Sequence, residues 1–233
     1  MFRFALFDLD NTLYPQDSGL WEEIGRRISA YMIDRLGYPP EEVHQKRVQY
    51  HQTFGTTLNA LRHYYGIQAE DFLRFVHDIP LENHLKPDPQ VDRLLAELPL
   101  RKVIYTNADA GHAARVLQHL GIAHHFEQII DILTLDLINK PDAESYRRAL
   151  DLIGADPGEC IFIEDSITNL LPAREMGMVT VFIGPEEDAA GADYRIGHLL
   201  ELGDCVRRIL SAHQCAVPVR ALREGPTPAP SSG

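Results

Sequence analysis

The chain has 233 residues, 45% of them apolar, which suffices for one sizeable core with an inserted subdomain, and no apolar run reaches membrane-spanning length. Its formal net charge of −12 excludes bulk binding to nucleic-acid polymers or anionic membranes, which demands a basic surface. The three cysteines form no Cys-x-x-Cys pair and so point to neither a disulfide framework nor a zinc site.

An apolar run starts at Phe2, which leaves no room for a charged leader, so a cytoplasmic location is the expectation. That run, Phe2, Phe4, Ala5 and Leu6, predicts a buried strand leading into Phe7-Asp8-Leu9-Asp10-Asn11-Thr12-Leu13-Tyr14. Side chains alternate across a strand, so Asp8 and Asp10 leave its end on the same face. Two crowded acids repel and lose hydration, an arrangement tolerated where a cation or a reaction uses them. Asp-x-Asp followed by Asn and Thr is also the composition of a polar turn.

Residues 18–98 read as almost entirely helical. Ile24, Ile28, Tyr31 and Met32 recur at helical spacing before a stop at Gly37 and Pro39-Pro40. Helices over residues 41–54, 56–65 and 71–77 follow, the first two ended by Gly55 and Gly66. Val91, Leu94, Leu95 and Leu98 mark another. Strands are then predicted at residues 102–105, 128–132, 161–163 and 179–183. They alternate with helices at residues 113–120, 143–153, 170–176 and 204–212.

Apolar strands alternating with helices predict an α/β fold, a doubly wound parallel sheet. The helical stretch after the first strand is too long for a simple crossover and reads as an inserted α-helical cap. The expected division is a core of residues 1–15 and 90–213, a cap of residues 16–89 hinged near residues 14–17 and 85–89, and a disordered tail at 214–233.

Ligands of open parallel sheets bind beyond the carboxyl ends of the strands. Those ends carry Asp8 and Asp10, then Thr106 and Asn107, then Lys140 in a loop, then Glu164 and Asp165. In order these are a nucleophile, an acid/base, phosphate donors, a cation and metal ligands. Singly, Thr106-Asn107 is also a helix cap, Lys140 a surface lysine and Glu164-Asp165 a charge pair at a helix start.

The ordered set Asp8-Leu9-Asp10-Asn11-Thr12, Thr106-Asn107, Lys140-Pro141 and Glu164-Asp165-Ser166 with Asn169 resembles the haloacid dehalogenase superfamily of phosphohydrolases, in its small-helical-cap type. The resemblance spans about residues 2–208. It implies a Mg²⁺-dependent phosphatase in which Asp8 is phosphorylated and Asp10 moves the proton. It also implies Mg²⁺ on Asp8, the Asp10 backbone carbonyl and Asp165, with Glu164 nearby. Lys140 then balances Asp8 against the phosphate, and Thr106 Oγ1 with the Asn107 N–H holds phosphoryl oxygens.

Asn11 stands where many relatives carry Gly, and Ala143 replaces a common second proline after Lys140-Pro141. A closer similarity, to the pyrimidine 5′-nucleotidase branch, lies in Asn11-Thr12-Leu13-Tyr14-Pro15, Phe54-Gly55-Thr56-Thr57-Leu58, Leu85-Lys86-Pro87-Asp88-Pro89 and Thr106-Asn107-Ala108-Asp109 with His112. The expected partner is a small phosphorylated metabolite, a pyrimidine nucleoside 5′-monophosphate first among them. Phosphoglycolate, sugar phosphates, a phosphomutase reaction and a non-catalytic binding module stay open. Specificity is expected from the cap, with Tyr50, Phe54, Tyr64 and Tyr65 as a stacking face and Asn59, Arg62 or His51 on the base edge. The same aromatics at helical spacing also suit cap core. None of the eleven histidines is assigned to a metal.

Overall fold

The chain is described over residues 1–185 and 189–216 in a computed structural model. Six strands, β1 (Phe4–Phe7), β2 (Arg101–Tyr105), β3 (Phe126–Ile130), β4 (Cys160–Glu164), β5 (Val179–Ile183) and β6 (Tyr194–Ile196), form one parallel sheet. Their spatial order is β3-β2-β1-β4-β5-β6. The chain winds outward from β1 in one direction and then resumes at β4 on its other side. The topological switch therefore lies between β1 and β4, where ligands of such sheets bind.

Strand alternation divides the core in two. Ala5 and Phe7 pack with Ile104, Ile161, Ile163 and Val181 beneath α5 (Pro89–Glu97), α6 (Ala110–Leu120) and α9 (Leu202–Ala216). Phe4 and Leu6 pack with Val103, Tyr105 and Phe162 beneath α7 (Ala143–Ile153) and α8 (Ile167–Glu175). Both faces are covered, which explains why these strands read as continuous apolar runs instead of alternating ones.

Between β1 and β2 lie α1 (Leu20–Leu36), α2 (Pro40–Phe54), α3 (Thr57–Tyr65) and α4 (Ala69–Val76). They close around their own cluster, including Tyr31, Met32, Val43, Tyr50, Leu61, Phe72 and Leu73, into which Ile132 of the sheet side also inserts. That insertion corrects the expected strand at residues 128–132. β3 starts two residues earlier and ends at Ile130, and the apolar run continues only because Ile132 packs among the helices. β6, absent from the sequence reading, has three residues, too few to show periodicity. α9 runs to Ala216, past the expected tail boundary at residue 214, and residues 217–233 lie outside the described residues.

Candidate active site

Asp8 directly follows β1, and its N–H donates to Ile163 O at 2.9 Å, continuing the pairing with β4. Its side chain thus arrives beside Glu164, the last residue of β4. The backbone then turns sharply through Asn11, whose φ is 58°. Most residues are strained in this left-handed region, but Gly and, to a degree, Asn tolerate it. Asn11 is therefore one of the few residue types this turn accepts at little cost.

Lys140 enters from the loop before α7 and is only 1% exposed. Its Nζ donates to Asp8 Oδ1 at 2.7 Å, to Glu164 Oε2 at 2.6 Å and to Tyr105 O at 3.0 Å. All three ammonium protons are accounted for, so the lysine stands at one place and one angle. Burial works against its charge, yet Asp8 and Glu164 outweigh burial and hold the ammonium above its ordinary range. Burial, and then the Glu164 charge, push Asp8 up to about 7 in spite of Lys140. Glu164 is likewise pushed up to about 7, chiefly by burial. Asp165, less buried, is raised for the same reason.

The Asn107 side chain makes contacts that the sequence did not suggest. Asn107 Oδ1 accepts from Lys140 N at 2.9 Å, and its Nδ2 donates to Lys140 O at 3.0 Å. Thr106 Oγ1 accepts from Ala108 N at 3.0 Å. The fourth motif braces itself in turn. Ser166 N donates to Glu164 Oε1 at 3.2 Å, and Asn169 Nδ2 to Glu164 Oε2 at 3.1 Å.

Asp10 faces elsewhere. Tyr14 Oη donates to its Oδ1 at 2.5 Å, and His112 Nε2 stands 3.6 Å from the same oxygen. His112 stacks on His77 with ring centroids 4.0 Å apart, and His77 Nδ1 contacts Asp109 Oδ2 at 2.5 Å. Burial pushes the Asp10 carboxyl up, but His112 and Tyr14 outweigh it and hold the group below its ordinary range. His77 and Asp109 were not among the expected site residues. They are far apart in sequence and meet because α4 ends against the start of α6.

Asp8, Glu164 and Asp165 each offer a carboxylate oxygen, all within 4.8 Å of one another. Among the described residues, Lys140 is the cation that opposes these three buried or half-buried acids. This surplus of hard, negative oxygen donors fits a divalent cation such as Mg²⁺. Glu164 belongs to that group by position, whereas the Asp10 carboxylate is turned toward Tyr14 and His112. A second cluster, Asp92 with His124 and His125, is partly exposed, and two imidazole contacts to Asp92 Oδ1, at 3.2 and 2.7 Å, account for it.

The expected specificity residues lie on α2 and α3. Asn59 Nδ2 donates to Asn139 Oδ1 at 2.6 Å and Leu137 O at 2.9 Å, tying α3 to the loop that carries Lys140. Phe54 and Asn59 line an open cavity of about 340 Å³ with Arg62, His63 and Leu137. Tyr64 is 56% exposed and packs on Tyr50, Phe54 and His63, while Tyr50 is buried with its hydroxyl 2.6 Å from that of Tyr38.

A family model described as haloacid dehalogenase-like hydrolase matches residues 2–177, and the chain belongs to that family. Phosphate metabolism protein 8 of Saccharomyces cerevisiae is 29% identical over 76% of this chain and 60% of its own length. Glyceraldehyde 3-phosphate phosphatase of Methanopyrus kandleri is 28% identical over 90% of this chain and 99% of its own. The chain thus spans less than two thirds of the yeast relative. Among solved structures, β-phosphoglucomutase of Clostridium difficile superposes with a TM-score of 0.65 at 18% identity, over 92% of this chain and 100% of that one. A HAD phosphatase of Thermococcus onnurineus superposes with a TM-score of 0.59 at 22% identity, over 89% and 97%. At these identities the superpositions speak for the fold.

Proposed function

We propose that this haloacid dehalogenase-like chain hydrolyses phosphate monoesters of small metabolites through a phosphorylated Asp8. The observation that carries the reading is the contact of Lys140 Nζ with Asp8 Oδ1 at 2.7 Å and Glu164 Oε2 at 2.6 Å, with Asp10 two residues beyond the nucleophile. Lys140 orients the attacking oxygen and offsets charge as the phosphoryl group approaches.

In the first step Asp8 forms a bond to phosphorus, the bond to the ester oxygen breaks, and Asp10 delivers a proton to the leaving alcohol. In the second, water attacks the aspartyl phosphate while Asp10 takes its proton, which releases phosphate and restores Asp8. Thr106 Oγ1 and the Asn107 N–H are proposed to hold phosphoryl oxygens, and the Asn107 side chain keeps Lys140 in place. Mg²⁺, held by Asp8, Asp165 and the Asp10 carbonyl with Glu164 adjacent, would neutralise the phosphate charge in a site this acidic. The helices over residues 20–76 are proposed to act as a cap, since Asp8, Lys140 and Glu164 are nearly shut from solvent and substrate must pass beside them.

For the substrate, the four segments similar to the pyrimidine 5′-nucleotidase branch favour a nucleoside 5′-monophosphate, with Phe54, Asn59 and Tyr64 contributing to selection. The similarity to the Methanopyrus kandleri phosphatase along nearly the whole chain favours a three-carbon phosphate instead. Mg²⁺-dependent phosphate release from UMP, CMP, AMP, glyceraldehyde 3-phosphate, phosphoglycolate and glucose 6-phosphate separates them. Preference for UMP and CMP supports the nucleotidase reading. Equal or faster turnover of the others removes it and leaves the phosphatase reading standing.

A further inference from the structure

We infer that Tyr14 is a positioning residue for the proton transfer, fixing the Asp10 carboxylate through Oδ1 so that Oδ2 alone exchanges the proton. The inference rests on the phosphatase reading above and adds to it which oxygen acts and what aims it.

Asp10 leaves the strand on a turning loop, and a carboxylate on such a loop would ordinarily rotate about its own bond, presenting either oxygen. Here it does not. Tyr14 is 3% exposed and packs in the sheet-side core, which favours one placement of its ring. Its hydroxyl is 2.5 Å from Oδ1. A phenol this close to a carboxylate donates a charge-assisted hydrogen bond, stronger than a neutral one. His112 closes the other flank of Oδ1 at 3.6 Å, with its ring 1% exposed and neither ring nitrogen hydrogen-bonded among the described residues. His112 is itself held by stacking on His77, which Asp109 anchors. Oδ1 is thus occupied on one side and walled on the other. Among the described residues no hydrogen bond reaches Oδ2, which remains for the leaving-group oxygen and then for the attacking water.

An aimed general acid matters in proportion to how badly the leaving group needs a proton. p-Nitrophenolate departs readily without one, whereas the alkoxide of an alkyl ester does not. The test compares kcat/KM of the wild type and Tyr14→Phe on p-nitrophenyl phosphate and on glycerol 1-phosphate in saturating Mg²⁺. Correctly placed general acids contribute about 10²–10⁴-fold, so loss of the aim is expected to cost about tenfold more on the alkyl ester than on the aryl ester. The loss should fall on kcat with KM little changed, because the ester is still bound.

His112→Phe keeps the stacked ring and leaves Tyr14 in place. It is expected to show the same sign of leaving-group dependence at smaller size, and it carries the test should Tyr14→Phe not fold. Equal losses on both esters, or none, in the folded variants would overturn the inference while the phosphatase reading stands. A wild type inert toward both esters and toward all six phosphates named above would overturn the phosphatase reading and this inference with it.

Discussion

The side chain of Asn107 clasps the backbone of Lys140 on both sides, accepting from its N–H at 2.9 Å and donating to its carbonyl at 3.0 Å. The end of β2 thereby sets the position of a loop thirty-three residues later. Lys140 O has a second donor in Asn139 Nδ2, but its N–H depends on Asn107. Asn107→Ala is expected to destabilise the protein by about 1–3 kcal/mol, the cost of an unmet buried donor. It should also reduce phosphatase turnover, because Lys140 loses its fixed approach to Asp8. Denaturant unfolding and phosphate release on the same samples check both. Unchanged turnover would mean that Asp8, Glu164 and Tyr105 O suffice to hold the ammonium.

Asp8→Asn is expected to reduce hydrolysis of p-nitrophenyl phosphate to background while the protein stays folded. Asparagine fills the same space but cannot form the phosphorylated intermediate. Because burial and Glu164 disfavour the ionised Asp8 carboxylate, its neutral replacement should leave metal-free stability equal or higher at pH 8. Retained turnover would show that another group attacks phosphorus.

These positions divide what the sequence made legible from what it did not. Asp8, Asp10, Lys140, Glu164 and Asp165 could be read because each is a polar residue ending an apolar strand or opening a helix. Strand-end chemistry is local. The layered core was legible for the same reason, as its strands are apolar throughout. The Asn107 clasp and the chain from Asp109 through His77 and His112 to Asp10 were not. Each joins groups from separate elements, and neither periodicity nor composition carries information about such meetings. Tyr64 could be read only to a pair of alternatives. Its aromatic character suits both a stacking face and helix packing, and the fold turns it outward against Tyr50 and Phe54.

Gly55 offers a test of how the α2–α3 turn meets the core. Its φ is 74°, and a Cβ built there would collide with the Asn139 side chain and lie 3.4 Å from Lys140 O. Gly55→Ala is expected to cost about 1–2 kcal/mol from the left-handed backbone alone. The added push on Asn139 and Lys140 should lower kcat more than stability suggests. An alanine variant with wild-type unfolding midpoint and turnover would show that the turn is free to move away from the Lys140 loop.

At Asn11, with φ of 58°, the backbone sets the choice of side chain. Asn11→Gly should be close to neutral in stability, and Asn11→Val should lose about 1–2 kcal/mol, since a β-branched residue is strained in this region. The ratio of the two unfolding free energies is the readout, and equal values would mean that the loop can rearrange without loss.

The acidic cluster predicts an unusual dependence of stability on pH once divalent metal is chelated. Asp8 and Glu164 have ordinary values of 3.8 and 4.5 and are both pushed to about 7 in the folded chain, first by burial. A raised folded value means that the native state holds more protons than the unfolded one between those limits. Their contribution is therefore complete below about pH 4 and is lost as pH rises through about 7. His77, depressed by burial below 6.5, works in the opposite direction below that ordinary value. Comparison with Glu164→Gln isolates the carboxylate term. In EDTA, wild-type stability should fall relative to the variant between pH 5 and 8, the two converging toward the acidic end. Added Mg²⁺ should restore the wild type more than the variant at pH 8, because a cation bound by these oxygens favours their ionised form. Parallel pH profiles in EDTA would show that the Glu164 charge is already balanced by Lys140 and that no further cation is needed for stability.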